Sequence, residues 1–193
     1  MTDTKTQTDN KADSNRLIAE IGKLKGPAPV HLWNPPYCGE IDIRIARDGT
    51  WYHNGSRITR PRLVALFSSV LRLEEDGQYC LVTPVERMGI KVDDCPFVAK
   101  LLEVEEHSDG QTLNFVLNTG ERVTADAEHK IKVESIPGSD EPHPIVHVRR
   151  GLNALISRNV FYDLVNRAST ETKDGVSELS ISSAGVRFSL GQA

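Results

Sequence analysis

The sequence predicts an α+β fold with an internally duplicated two-domain core, in which antiparallel sheets each carry a packed helix. Three observations predict it. A nine-residue segment at 60–68 returns at 149–157 with five identical positions, apolar helical stripes occupy a few segments, and short turn-bounded strands fill most of the rest. A repeat that occurs only twice indicates two similar units, because a solenoid needs three or more copies. The seam between such units is a natural ligand site.

The composition is that of an ordinary soluble globular protein. The chain has 193 residues, of which 38% are hydrophobic and 26% charged, so it can bury a sizeable core. Residues 1–14 are polar throughout, which predicts a disordered tail and no signal peptide. No run approaches the roughly 20 apolar residues that cross a bilayer. We expect an N-terminal α+β domain at 15–86 and a β-rich C-terminal domain with a long helix at 87–193.

The cysteines and the overall charge indicate a compartment and exclude some partners. Cys38, Cys80 and Cys95 are odd in number and far apart, which is typical of free thiols in a reducing compartment. We therefore expect a cytoplasmic protein. The sequence pI of about 5.9 and the absence of a long basic face argue against duplex nucleic acid and membranes as partners.

The N-terminal elements begin with an amphipathic helix at about 15–25, which a Gly-Pro-rich stretch ends. The proline-locked segment 33–37 is extended. Isoleucines then alternate with charged residues at 41–45, and an Asp-Gly turn leads into 50–53, so these two segments predict a β-hairpin.

A helix is predicted over 60–71, with Thr59 as its N-cap and Pro61 inside its first turn. Its apolar residues form one stripe along the helix. After an acidic turn, the strand at 79–83 returns to the same small sheet.

The C-terminal domain has the rhythm of an antiparallel meander. Turn residues separate short strands, predicted at 87–92, 97–106, 112–117, 121–124 and 130–133. The remaining elements, in chain order, are a proline-containing loop at 136–144, a strand at 146–148, the second repeated helix at 151–168, a polar turn at 169–175, and strands at 177–182 and 186–190.

Positive charge is concentrated near both copies of the repeat. Residues 42–72 contain six arginines and two aspartates, a balance of +4, whereas 74–109 carry ten acidic and three basic residues, a balance of −7. Residues 149–167 are positive again, with four arginines and one aspartate. Arginine binds phosphate or carboxylate through two parallel hydrogen bonds, which predicts an anion-binding surface. The alternative is that these arginines form ordinary ion pairs with the acidic middle of the chain.

The sequence contains no recognisable catalytic motif. Phosphate-loop, dinucleotide-binding and serine-hydrolase signatures are missing, so no catalytic residue, metal or cofactor is predicted. His143 and His147 have the interval of helical zinc ligands, but Pro144 argues against a helix and no cysteine or carboxylate completes the set. The acidic pair at 93–94 is more typical of a turn cap than of a cation site. Cys95 could act as a nucleophile only beside a histidine, which the sequence does not place.

Several segments together resemble a bacterial family, the one called domain of unknown function 1285. They span nearly all of the chain after the polar tail and include 33–36, 39–43, 48–51, 66–67, 79–86, 94–97, 149–158 and 162–165. The chain departs from the family pattern at Cys95, where alanine is expected. The resemblance is specific for the family but gives no information about chemistry, because the family has no established activity.

The resemblance implies a duplicated core of two α+β domains, with the C-terminal domain loosely similar to pleckstrin-homology folds. It also implies a nucleotide-type ligand pocket at the domain interface and a role in bacterial signalling.

Two functions from different classes fit these observations, and an enzyme ranks third. The first is a non-enzymatic binding module whose interdomain cleft accepts an anionic, nucleotide-type small molecule. Its predicted ligand-binding residues are the phosphate-gripping Arg60, Arg62, Arg149 and Arg150 and the stacking aromatics Trp51 and Tyr79. If this is right, Arg60 and Arg149 point toward the seam and are not held in ion pairs within their own domains. The alternative is a protein-protein interaction domain that binds a partner chain through its acidic β-meander or a strand edge.

The repeat also makes a structural prediction. If its two copies are equivalent, 60–71 and 151–168 are both helices and superpose with the strands beside them. The leucines at the centre of the shared apolar face, Leu66 and Leu155, are then buried.

Overall fold

The computed structural model describes residues 28–136, 138, 141–173 and 176–192. The predicted tail at 1–14 and the predicted helix at 15–25 lie outside the described residues. The chain divides into two compact units, Met1–Asp94 and Cys95–Ala193. No helix in the described ranges is long and apolar enough to cross a membrane.

The described part of the first unit, from residue 28 onward, is a six-stranded sheet with one α-helix. Its elements in chain order are a 3-10 turn (Val30–Leu32), β1 (Tyr37–Ile45), β2 (Trp51–His53), β3 (Ser56–Arg57), α1 (Pro61–Ser69), β4 (Leu71–Leu73), β5 (Tyr79–Val82) and β6 (Arg87–Val92). The strands lie in the order β3-β2-β1-β6-β5-β4. Because β6 pairs with both β1 and β5, the division of the chain falls after β6, later than the predicted boundary at 86/87.

The second unit contains another six-stranded sheet, a helix and a small third sheet. Its elements are β7 (Phe97–His107), β8 (Gly110–Leu117), β9 (Arg122–Thr124), β10 (Ile131–Ser135), β11 (Pro142–Arg149), β12 (Leu152–Ile156), α2 (Arg158–Arg167), β13 (Ser169–Lys173), β14 (Val176–Ser183) and β15 (Val186–Gln192). Helix α2 packs against β7 and β14. The polar segment predicted as a turn at 169–175 contributes β13, which pairs with β14.

The two six-stranded sheets share one topology. The second sheet has the order β10-β11-β12-β7-β8-β9, and its strands, numbered from one to six and read from the β9 edge, repeat the order 3-2-1-6-5-4 of the first sheet. In each sheet the first and sixth strands are the parallel pair, β1 with β6 and β7 with β12. The predicted two-domain α+β core is therefore present, and its duplication lies in the strand order. The prediction of purely antiparallel sheets is wrong at this central pair, whose strands are joined by the long connection that parallel pairing requires.

The nine-residue repeat is not a structural repeat. In the first copy Pro61 starts helix α1, whereas in the second copy the matching residues form strand β12. The reason is local, because Arg150 and Gly151 both have positive φ, 44° and 77°, and make a two-residue hairpin turn between β11 and β12. The chain returns as a strand, and the helix begins only after Ser157. The prediction that 60–71 and 151–168 are equivalent helices is wrong.

The burial expected for the repeat leucines is also wrong, because Leu66 and Leu155 are both half-buried. Along β12 the buried positions are Leu152, Ala154 and Ile156, which alternate with the face that carries Leu155. The apolar pattern of this segment fits a strand as well as a helix, and here the strand forms.

The small sheet is attached to the second six-stranded sheet through Ser183. Its hydroxyl is fully buried, accepts a hydrogen bond from the Leu113 amide at 2.9 Å and donates one to the Ala125 carbonyl at 2.7 Å. The Ala184 amide donates to the Gln111 carbonyl at 3.0 Å. These bonds tie the end of β14 to β8.

Candidate functional site

A row of basic side chains crosses one face of the first sheet. The strand register places Arg57 of β3 opposite Tyr52 of β2, Tyr52 opposite Arg44 of β1, and Arg44 opposite Lys91 of β6. Residues that face each other in register project from the same side of a sheet. These four residues, the basic row, therefore share one face across four adjacent strands. The three cations are exposed and Tyr52 is half-buried.

The basic row lies on the face opposite the core. Along β1 the side chains of Ile43 and Ile45 are buried while Arg44 between them is exposed. Trp51, the neighbour of Tyr52, lies on the buried side and stacks on Phe67 of α1 with ring centroids 6.1 Å apart. Helix α1 thus packs on the other face of the sheet, and the three cations of the basic row are exposed.

The carboxylate of Asp93 is bound to one member of the basic row, Arg44. Arg44 makes a two-point contact with Asp93, including an Nε donation to Oδ1 at 2.9 Å, and its guanidinium lies 5.9 Å from the Tyr52 ring centroid. The hydrogen bond from Arg44 lowers the pKa of Asp93, and the charge of Lys91 lowers it further. Asp42 also lies on this face of β1, two residues before Arg44. The basic row therefore has its largest excess of positive charge toward β3.

The arginines that the structure describes in the first unit fall into two groups. The paired group comprises Arg44 with Asp93, Arg47 with Asp94, and Arg72 and Arg87 with Glu74. Arg57, Arg60 and Arg62 are exposed, and no ion pair joins any of these three to a residue in the described part of the chain. Arg60 is the N-cap residue of α1 and Arg62 lies in its first turn. Uncompensated positive charge is thus concentrated between 57 and 62.

The predicted aromatic stacking residues lie on the wrong side of the sheet for an open ligand surface. Trp51 is 1% exposed, so its ring belongs to the core. Tyr79 is opposite Ile90 in the register, on the face away from Lys91. Tyr52 is the aromatic residue that the structure places among the arginines, and the alternation of side chains in a strand is the sequence signal that could have identified it.

The predicted arginines of the second unit are placed differently from those of the first. Arg149 donates to Glu121 at 2.6 Å and lies 5.0 Å from the Phe97 ring centroid, both within its own unit. Arg150 is exposed in the turn between β11 and β12. Arg149 therefore forms the ordinary ion pair that the sequence left open as the alternative.

Part of the acidic charge of the meander is paired as well. Arg122 of β9 contacts Glu103 and lies 3.9 Å from Glu105, both on β7. Asn114 of β8 also donates to Glu105, at 3.1 Å. These contacts reduce the acidic surface that β7 presents to a partner.

A polar network surrounds Gly89, which lies two residues before Lys91 on β6 and is buried. A Cβ on Gly89 would lie 2.8 Å from Gln78 Nε2 and 2.9 Å from the Tyr37 hydroxyl, so glycine leaves the space that these side chains occupy. Gln78 donates to Tyr37 at 3.3 Å. Cys80, opposite Gly89 in the register, is fully buried, and this burial, with the nearby Glu74 charge, raises the pKa of its thiol to about 11.

Raising the pH from about 9 to about 11 is expected to destabilise the protein through Cys80. The unfolded thiol ionises near pKa 9.0, whereas the folded thiol keeps its proton to about 11. The folded state therefore binds more protons in this window, and stability falls as the pH rises. The two-unit difference corresponds to at most about 3 kcal/mol. Urea unfolding at several pH values in this window measures the free energy of unfolding. This free energy should fall more steeply with rising pH for the natural protein than for Cys80→Ala, and equal slopes for the two proteins would contradict the expectation.

Comparisons with known proteins cover both units. Residues 28–95 match the family described as "Domain of unknown function (DUF1285), N-terminal domain", and residues 96–190 match "Protein of unknown function (DUF1285), C-terminal domain". The crystal structure of a DUF1285 family protein from Silicibacter pomeroyi has 47% sequence identity and a TM-score of 0.80, covering 92% of this chain and 95% of that chain. Another, from Shewanella baltica, has 24% identity and a TM-score of 0.49, covering 64% and 90%. A search of curated proteins found no match.

Proposed function

Because this chain belongs to the DUF1285 family, a family of proteins of unknown function, we propose from its own geometry that it is a non-enzymatic module that binds an anionic, nucleotide-type ligand on the basic row. The observation that carries the proposal is the contrast between its arginines. Four arginines of the first unit are ion-paired, whereas Arg57, Arg60 and Arg62 are exposed without an ion pair to any described residue.

The basic row has the chemistry of a phosphate-binding surface. Guanidinium groups bind phosphate oxygens through paired, charge-assisted hydrogen bonds, and Lys91 adds a compact point charge. Strands in a sheet are about 4.8 Å apart, so the row extends for about 14 Å from Arg57 to Lys91. This length accommodates a phosphate group together with an attached ring, and Tyr52 supplies an aromatic surface between Arg57 and Arg44.

The proposed site belongs to the first unit alone. Arg60 and Arg62, at the start of α1, add exposed positive charge to the first unit but are not part of the basic row, and Tyr52 replaces Trp51 as its aromatic residue. Arg149 is left out because it belongs to the second unit, where it is paired with Glu121. The C-terminal likeness to pleckstrin-homology folds remains a prediction, and so does the expected interdomain position of a ligand.

A cytoplasmic role in signalling is part of the same proposal. Cys38 and Cys80 are free thiols, Cys38 exposed and Cys80 buried, which supports a reducing compartment. A module that binds a nucleotide without a catalytic constellation has the chemistry of a sensor.

The proposal predicts that a nucleotide raises the melting temperature of the full chain and that Arg57→Ala weakens this binding more than tenfold. Loss of one charge-assisted hydrogen bond removes about 1.5 to 3 kcal/mol of binding free energy. The measurement is a thermal-shift screen with purine nucleotides, cyclic dinucleotides and pyrophosphate, followed by calorimetric titration of the hits.

Arg187→Ala is the matched control, because Arg187 is also exposed but is paired with Glu171 at 2.6 Å in the small sheet. This variant should bind like the natural protein. Equal weakening in both variants would show a general charge effect and contradict the site. A flat screen would contradict the proposal and favour the alternative, a partner protein bound by the acidic meander or a strand edge.

A further inference from the structure

A cysteine and a histidine that are distant in sequence lie together in the second unit. The Sγ atom of Cys95 is within 4.8 Å of a ring nitrogen of His143 and of a carboxylate oxygen of Asp94, the residue bonded to Cys95, and these two atoms are equally close to each other. The sequence alone pairs His143 only with His147 and does not place Cys95 or Asp94 beside it. His147, the predicted zinc partner of His143, instead contacts the Glu128 carbonyl through Nδ1 at 3.0 Å.

We propose that Cys95, His143 and the adjoining Asp94 bind one Zn²⁺ ion with an open fourth position. Zinc prefers thiolate sulfur, imidazole nitrogen and carboxylate oxygen, and these three side chains supply one atom of each kind. Sites with three protein ligands leave a position for water or another small ligand.

The spacing of the three atoms is close to that of a tetrahedral site. Zinc bonds of about 2.0 to 2.3 Å at tetrahedral angles place the ligand atoms about 3.3 to 3.8 Å apart. A cluster within 4.8 Å therefore reaches this geometry by side-chain movements of about 1 Å. Cys95 is 6% exposed and the His143 side chain 12% exposed, so both ligands lie in a region of limited water access.

The surroundings favour this geometry. Pro96 follows Cys95 and Pro144 follows His143, and a residue before proline is restricted to extended backbone conformations. Glu134 Oε2 lies 3.8 Å from His143 Nδ1, so this carboxylate is close enough to support the ring if Nε2 is the nitrogen that binds the metal. Arg47 Nε contacts Asp94 Oδ2 at 3.1 Å, and a carboxylate has a second oxygen for the metal.

Cobalt is the probe that tests the site, because it replaces zinc and a cysteine thiolate bound to it gives a strong ultraviolet charge-transfer band. We expect chelator-treated full-length protein to develop this band up to one equivalent of Co²⁺, and added Zn²⁺ to abolish it. Affinity should rise with pH, because the thiol proton is released on binding. Cys95→Ser should remove the band, and His143→Gln should weaken binding at least tenfold.

Two matched variants separate the site from adventitious binding. Cys38→Ser removes the exposed thiol and His107→Gln an exposed histidine, and both should bind Co²⁺ like the natural protein. Zn²⁺ should also raise the melting temperature of the natural protein but not of His143→Gln, which keeps the comparison valid if Cys95→Ser folds poorly. No band at one equivalent, a band that survives Cys95→Ser, or a band lost in Cys38→Ser would overturn the proposal.

Discussion

Replacing Trp51 by alanine is expected to lower the free energy of unfolding by about 3 to 5 kcal/mol, the usual cost of truncating a buried large aromatic residue. Its ring is 1% exposed and lies at 15° to the Phe67 ring, between the sheet and α1. Alanine would leave a cavity at this contact and remove the main aromatic packing between helix and sheet. Denaturant unfolding followed by circular dichroism measures the change, and a loss of about 1 kcal/mol or less would contradict the described core.

Tyr52→Ala is the control for this prediction, because Tyr52 is the next residue and projects from the other face. We expect it to cost about 1 kcal/mol or less, since the side chain is half-buried and its ring contact is with the exposed Arg44. The same variant should weaken nucleotide binding if the basic row is the site. Equal destabilisation by the two variants would mean that the faces of β2 are assigned incorrectly.

Replacing Arg72 by alanine is expected to cost about 3 kcal/mol of stability, because its guanidinium holds the 3-10 turn against the edge of the first sheet. It donates to Glu74 at 2.6 Å and to the carbonyls of Val30 and Trp33 at 2.7 Å each, and the side chain is only 14% exposed. Removing one partner from a largely buried charge network leaves the other groups without compensation. Glu74 keeps its contact with Arg87 at 2.8 Å, which places the cost at the lower end of the range for such networks.

Arg122→Ala is the contrasting variant. Arg122 is also ion-paired, but its side chain is 56% exposed, so we expect a cost below about 1 kcal/mol. Limited proteolysis adds a local readout, because loss of Arg72 should expose residues 28–36 to cleavage before the rest of the unit unfolds. Similar urea midpoints for the two variants would contradict the clamping role of Arg72.

Elements with one dominant pattern could be predicted from the sequence. The predicted strand at 87–92 coincides with β6, and the strands at 177–182 and 186–190 fall within β14 and β15. Helix α1 is also confirmed, although the prediction ran on through Leu71, which begins β4. The apolar residues at 70–71 extend the helical stripe and suit a strand equally, so periodicity alone could not locate the end of α1.

The prediction that the second repeat segment forms a helix was wrong for a related reason. The leucine and alanine spacing of this segment matches α1, but the Arg150–Gly151 turn decides the structure, and the type of a turn depends on the φ and ψ angles of its two central residues, which residue matching does not detect. The proline at position 61, by contrast, is specific for the start of a helix. The segment match was therefore a coincidence between a helix and a strand.

Both candidate sites could be identified only from the tertiary structure. The basic row joins Arg57, Tyr52, Arg44 and Lys91 through the pairing of four strands, and no periodicity in the sequence connects these positions. Cys95 and His143 are 48 positions apart and were considered separately. Residue chemistry could be recognised from the sequence, whereas the contacts between strands distant in the chain could not.

The shared strand order indicates where this protein tolerates added sequence. In the first unit a whole helix, α1, joins the third strand to the fourth, whereas the corresponding connection in the second unit is the short loop at 125–130. The same strand order therefore forms whether its third and fourth strands are joined by a helix or by a short loop. We expect a short affinity tag to be tolerated only at the exposed tip of this loop, 127–128, because Ala125 is fully buried and its carbonyl accepts the Ser183 hydroxyl.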